Sequence, residues 1–290
     1  MRKAFLALTL LAGGSAAAQP AQPPPRTSAP VEALLASSPS VVLDNGRLRA
    51  VVRPPDADKG FYRGTRFDQA GVITSLKAGG TEFYGPWFER TAPEVLDYTY
   101  VGDALVAGPD SAISGPVEEF APLAFAAKPG LFVKIGVGVL RQPDSKPYDH
   151  YRHYQIVDGG RRETHATANS IAFTQTLSGA GYAYRYEKTI TLVPGTGRMV
   201  INHVLTNTGT APIDTTVYDH NFLRLVPGNN GIRIGFPFTV HPDMAQAANA
   251  PAPDLMAIKG GSLVYLRPQK NKERVSFTLT GFGDSAADYD

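Results

Sequence analysis

The sequence contains no cysteine. Disulfide frameworks, thiolate zinc sites, thiol nucleophiles and iron–sulfur clusters are therefore excluded. Tryptophan is nearly absent too, with Trp87 standing alone. No P-loop, dinucleotide-binding glycine fingerprint or nucleophile elbow is present. Gly136-x-Gly138 lies inside a strand-like pattern without the rest of such a motif. After Ser38 there is no helical stripe of three or more turns, no repeat of fixed period and no second composition regime.

The apolar run from Phe5 to Ala12 is too short to span a bilayer. It follows Arg2 and Lys3 and precedes Ala16-Ala17-Ala18 before Gln19, the n-, h- and c-region pattern of a secretory signal. Residues 1–18 are expected to be a signal peptide, and the product to lie in the periplasm or outside the cell. With no cysteine at the cleavage point there is no lipid anchor, so no membrane attachment is expected after cleavage. Losing Arg2 and Lys3 takes Lys+Arg from 28 to 26, against 26 Asp+Glu. A chain of about zero net charge without a basic stripe makes a poor nucleic-acid binder, and a neutral partner fits better.

What the chain does have is aromatic area and turn punctuation. Its 13 Tyr and 14 Phe can fill a large core, while 29 Gly and 24 Pro break it into short runs. Residues 19–40 read as a Pro-rich linker that cannot build a ladder, followed by two helical turns over Val31–Ser38. Val41–Leu43 and Arg47–Val52 flank Asp44-Asn45-Gly46, the signal for a hairpin with a type I′ turn. Val133, Ile135, Val137 and Val139 alternate with Lys134, Gly136 and Gly138, predicting a strand. Further strands are predicted over Val72–Leu76, His153–Val157, Ile171–Leu177, Tyr182–Val193, Met199–Thr206, Thr215–Leu225, Ile232–Ile234, Leu263–Leu266 and Val275–Thr280. Tyr182, Tyr184 and Tyr186 fall on one face of one strand. Residues 41–290 are thus expected to form one all-β domain, with either closure or a further segment beyond Asp290.

Two stretches carry a family resemblance. Gly71-Val72-Ile73-Thr74-Ser75-Leu76-Lys77 resembles the early G-x-I-x-S-L strand of aldose 1-epimerases (galactose mutarotases). Val204-Leu205-Thr206-Asn207-Thr208-Gly209, Ala211-Pro212-Ile213 and Tyr218-Asp219-His220-Asn221-Phe222 resemble the block that brings a histidine into that family's sugar cleft. Phe236-Pro237-Phe238-Thr239 resembles its P-F-D-F segment, with Thr239 at the carboxylate position. The resemblance implies an antiparallel β-supersandwich with a sugar or oligosaccharide in a concave cleft, no cofactor, no metal, and His220 as general acid. The same fold also serves carbohydrate-binding accessory domains and periplasmic lyases or hydrolases, so both stay open.

Opening a hemiacetal requires a base at O1 and an acid at the ring oxygen. Histidine suits the acid because its ordinary pKa of about 6.5 is close to working pH. Glu118 and Glu119, read as a loop after Gly115-Pro116-Val117, are candidate bases. Asp219 neighbours His220 but points to the opposite face of a regular strand. Arg63 and Arg66 offer guanidinium forks for sugar hydroxyls or a carboxylate, and would face opposite sides if their segment were a strand. Trp87 is a candidate stacking platform. Asn221, His150 and His153 are candidate sugar contacts, the two histidines in a loop leading into a strand.

Overall fold

Asn45 shapes the first hairpin. Its side-chain oxygen accepts the backbone N–H groups of Arg47 (2.9 Å) and Leu48 (2.7 Å), and its own N–H donates to the Leu48 carbonyl at 3.1 Å. Gly46 alone in this turn has a positive φ, +82°, and the register pairs Asp44 with Arg49, leaving Asn45–Leu48 as the loop. The expected type I′ turn would have needed a positive φ at Asn45 too; its side-chain bonds hold it elsewhere.

The computed structural model describes residues 25–224, 232–243, 253–268, 277–281 and 283. The expected signal segment lies outside them. The elements begin with β1 (Ala29–Pro30), α1 (Val31–Ser37), β2 (Val41–Asp44), β3 (Leu48–Arg53), β4 (Val72–Ala78) and β5 (Thr81–Tyr84). Three short strands follow, β6 (Arg90–Thr91), β7 (Tyr98–Val101) and β8 (Ala104–Ala107), then β9 (Gly115–Phe120). The middle of the chain forms β10 (Gly130–Lys134), β11 (Gly138–Gln142), β12 (Gln155–Asp158), β13 (Arg161–Ala166), β14 (Ser170–Gly179), β15 (Tyr182–Leu192) and β16 (Met199–Asn207). Last come β17 (Val217–Phe222), β18 (Arg233–Gly235), β19 (His241–Asp243), β20 (Met256–Lys259), β21 (Ser262–Tyr265) and β22 (Thr278–Thr280). The fold is all-β and its sheets are antiparallel, apart from the parallel pair of β6 and β8. Among the described residues no helix is long and apolar enough to cross a membrane.

The sheet β2–β3–β4–β5 continues through a bridge from Tyr84 to Leu223 into the β17–β9 pair. A second bridge, Leu123 to Val133, leads on to β10–β11–β12. The β13–β14–β15–β16 sheet packs across this run. Ile171, Phe173, Ile190 and Leu192 join Leu43, Val52 and Ile73 in one apolar cluster. Leu177, Tyr184 and Tyr186 join Phe120, Val133 and Val139 in another. Alternation along β15 (Tyr184, Tyr186, Lys188, Ile190, Leu192 all buried) directs one face inward, as the pleat requires.

Several local expectations are corrected. The run from Val133 to Val139 is a hairpin, not one strand. Lys134 pairs with Gly138, and Ile135-Gly136-Val137 turns between β10 and β11. Period-two alternation cannot register that Gly136 adopts φ +80°, nor that a Cβ there would come within 2.6 Å of Asp68 Oδ1. The turn is buried, so its backbone needs partners. Gly136 N–H donates to Gln175 at 3.1 Å, and its carbonyl accepts Gln69 N–H (3.2 Å) and Arg162 Nη2 (3.0 Å). Glu118 and Glu119 lie in strand β9 rather than a loop, because β17 supplies a full antiparallel partner from Gly115 to Phe120. The Pro-rich leader does pair at its end: Ala29 and Pro30 align with Thr91 and Arg90. The α1 helix, seven residues long, is held by the buried Arg53 guanidinium, which donates to the carbonyls of Leu35 (2.9 Å) and Ser38 (2.8 Å).

Candidate functional site

The pleat of β9 sends its two neighbouring glutamates to opposite faces, and each meets a buried lysine. In β17 the residues opposite them are Asp219 (across from Glu118) and Tyr218 (across from Glu119). No register shift interrupts this pair, so Asp219 and His220 do face opposite sides.

On the inner face Glu118 Oε2 lies 2.5 Å from Lys188 Nζ, and Asp68 Oδ2 lies 3.5 Å from the same ammonium. His203 Nε2 is 3.2 Å from Glu118 Oε1, and the Tyr186 hydroxyl lies between Asp68 Oδ2 (3.1 Å) and His203 Nδ1 (2.9 Å). Lys188 is 0 % exposed. Burial works against its charge, but two carboxylates outweigh that and hold its pKa above the ordinary lysine value. Burial raises the Asp68 carboxyl, while Lys188 and His203 keep Glu118 below the usual carboxylate range. This cluster ties the two layers together between β9 and β15.

On the outer face Glu119 is the centre. Its Oε2 accepts Arg66 Nε at 2.8 Å and the Tyr218 hydroxyl at 2.7 Å, while Arg66 Nη2 donates to that same hydroxyl at 2.7 Å. Its Oε1 faces Lys134 Nζ at 3.6 Å and His150 Nδ1 at 3.4 Å. The Arg66 guanidinium stacks over Phe67 at 4.5 Å and Tyr151 at 4.9 Å. Lys134 also donates to the Tyr148 hydroxyl at 2.9 Å.

The charges here respond differently from those inside. Burial works to raise the Glu119 pKa, but His150, Arg66 and Lys134 together bring it down to about 2. Lys134 is 0 % exposed with one carboxylate at 3.6 Å, and burial lowers it to about 8. The contrast with Lys188 is one of partner number and distance.

Strand β17 carries the imidazole of His220 onto this outer face beside Tyr218. The ring stacks on Phe222 (centroids 3.9 Å apart) and meets Phe67 edge-on at 5.9 Å. His220 is 8 % exposed, and its buried Nδ1 finds no hydrogen-bond partner among the described residues. Burial, reinforced by the Arg66 charge, lowers its pKa to about 3, so the ring is neutral at neutral pH. That is a poor state for the general acid expected from the sequence, which must carry a proton to give.

The remaining sequence candidates divide. Trp87 belongs to the same aromatic cluster, parallel to Phe222 at 6.0 Å and edge-on to Phe88 and Tyr98. Its partly buried indole packs against this cluster. Arg63 is exposed and donates to the Asp58 carbonyl at 3.0 Å. Arg63 and Arg66 lie in an irregular segment, so strand alternation does not govern them. Asn221 pairs with Pro116 in the ladder, on the face shared by Asp219. Asp219 is exposed, with its pKa raised by partial burial and by Glu118. His150 and His153 sit in the loop before β12 and reach different carboxylates, Glu119 and Asp110. Among the described residues no three His, Asp or Glu are arranged to hold a metal ion.

Lys134, Lys188, Tyr218, Tyr148 and Asp110 did not stand out in the sequence. Lys134 looked like the polar half of an alternating strand, whereas Lys188 follows Tyr182, Tyr184 and Tyr186 on the inward face of β15 and meets its carboxylates there. No protein-family model, curated protein or solved structure matches the chain.

Proposed function

We propose that the chain is a secreted carbohydrate-active protein that binds a sugar over the Glu119 face of the β9–β17 pair, on a supersandwich of the galactose mutarotase type. The resemblance of Gly71–Lys77 and Val204–Phe222 to aldose 1-epimerases is the starting point. One observation carries the reading further. Arg66, Glu119, His150 and His220 were singled out by separate arguments, and they meet on one face around Tyr218.

The chemistry suits a pyranose. Carboxylate, guanidinium and phenol groups match vicinal hydroxyls, and Tyr151 adds a partly exposed ring beside them. Glu119, held ionised down to about pH 2 by its cations, acts as a fixed acceptor rather than a titrating base. That same property favours a second reading, sugar binding without catalysis.

Polarimetry of freshly dissolved aldoses separates the two, paired with calorimetric titration of a sugar panel. Faster anomer equilibration than in buffer, reduced in Tyr218→Phe, supports the isomerase. Saturable binding without acceleration supports the binding module. New absorbance from an unsaturated oligosaccharide end would replace both with a lyase.

A further inference from the structure

Asp110 is 0 % exposed, yet among the described residues no lysine or arginine pairs with it at contact distance. Its Oδ1 accepts both the backbone N–H and, at 2.9 Å, the hydroxyl of Thr65. Its Oδ2 lies 3.1 Å from Nδ1 of His153, whose side chain is 48 % exposed. Thr65 Oγ1 in turn accepts the Tyr154 N–H at 3.1 Å, so the backbone just after His153 is fixed to the residue that fixes Asp110. An ionised carboxylate can only accept, so in the neutral ring Nδ1–H donates to it and Nε2 carries the lone pair. An oriented imidazole backed by a buried carboxylate is the arrangement that general-base chemistry uses.

We propose that Asp110 and His153 form a proton-transfer dyad at the rim of the sugar site, with His153 Nε2 the atom that takes and returns the proton. The substrate rests on the sugar reading above; the geometry does not. His153 and His150 belong to one loop, which places the dyad beside the Glu119 cluster that His150 contacts. In ring opening, Nε2 takes the proton from O1–H, and that bonding pair becomes the second C1–O1 bond. The C1–O5 bond breaks onto O5, which takes a proton from water, and the imidazolium proton neutralises the hydroxide left behind. Closure on either face of the carbonyl gives either anomer. His153 is the catalytic residue and Asp110 a positioning residue.

The hydrogen bond to Asp110 raises the His153 pKa above its ordinary value, with partial burial and the Arg63 charge acting the other way.

The test is a long-range proton–nitrogen NMR titration of the ring nitrogens, run beside carbon NMR of anomer exchange in free aldoses. The expected result is an Nδ1–H tautomer with a midpoint above that of a free histidine, which falls in Asp110→Asn. His153→Asn keeps a donor for Asp110, so it should retain the thermal midpoint of the parent yet slow anomer exchange about a hundredfold or more. An Nε2–H tautomer, a midpoint unmoved by Asp110→Asn, or, where the parent accelerates anomer exchange, a rate unchanged in His153→Asn would overturn the dyad. A dyad that titrates as expected in a protein that neither binds nor converts any aldose would overturn the sugar reading while supporting the dyad.

Discussion

The Arg66 guanidinium and the Glu119 carboxylate meet at 2.8 Å with side chains only 10 % and 8 % exposed. Removing one member of a pair so enclosed leaves the other as a buried charge with its desolvation cost uncompensated. Either substitution alone, Arg66→Leu or Glu119→Leu, should cost about 3–5 kcal/mol, and the double variant should cost less than the sum. Denaturant unfolding of the four proteins measures the coupling. Additive costs would mean that the pair does not interact.

Acid should weaken the fold through Glu119. Its native pKa, about 2, lies below the ordinary glutamate value, so its stabilisation is complete above the unfolded pKa of about 4.3. It is lost as pH falls from there through 2. Lys134 acts in the opposite sense at the alkaline end. With a native pKa of about 8 against 10.5 unfolded, the unfolded chain binds the extra proton, so stability rises with pH between those values. Unfolding free energies across pH, in the parent and in Lys134→Met, should lose this alkaline rise in the variant; an unaltered limb would count against it.

His220→Phe should fold and gain about 1 kcal/mol, since the variant keeps the stack on Phe222 and removes a buried nitrogen that has no partner among the described residues. Thermal or denaturant unfolding reads the sign directly. A loss of several kcal/mol would mean that the imidazole makes a buried hydrogen bond.

Gly136→Ala should destabilise by about 1–3 kcal/mol, because the backbone there has φ +80° and the added Cβ would press on the buried Asp68 carboxylate. Unfolding of Gly136→Ala beside Gly181→Ala, which shares a positive φ but has open space around it, separates collision from backbone strain. Equal costs would assign everything to the backbone.

The legible part of this molecule was its strand register where one face is apolar. The β2–β3 hairpin, the long β14–β15–β16 meander and the opposed faces of Asp219 and His220 follow from period two and turn residues. What stayed hidden depends on contacts between distant segments. Glu118-Glu119 looks like a solvated loop until β17 pairs with it, and Lys134 looks like a solvent-facing residue until Glu119 is opposite. Gly136 looks like a small strand residue until Asp68 and Arg162 close on the turn. His220 was found as a residue of interest, but no local pattern indicates that Phe67 and Phe222 enclose its ring.

The central claim is that a sugar sits over Glu119. Titrating free aldoses and uronic acids into isotope-labelled protein, read by amide and side-chain NMR shifts, tests it most directly. The account predicts saturable shifts centred on Arg66, Glu119, His150, Tyr151 and Tyr218, weakened in Tyr218→Phe. Saturable shifts confined to another face, or none with any sugar in the panel, would contradict it.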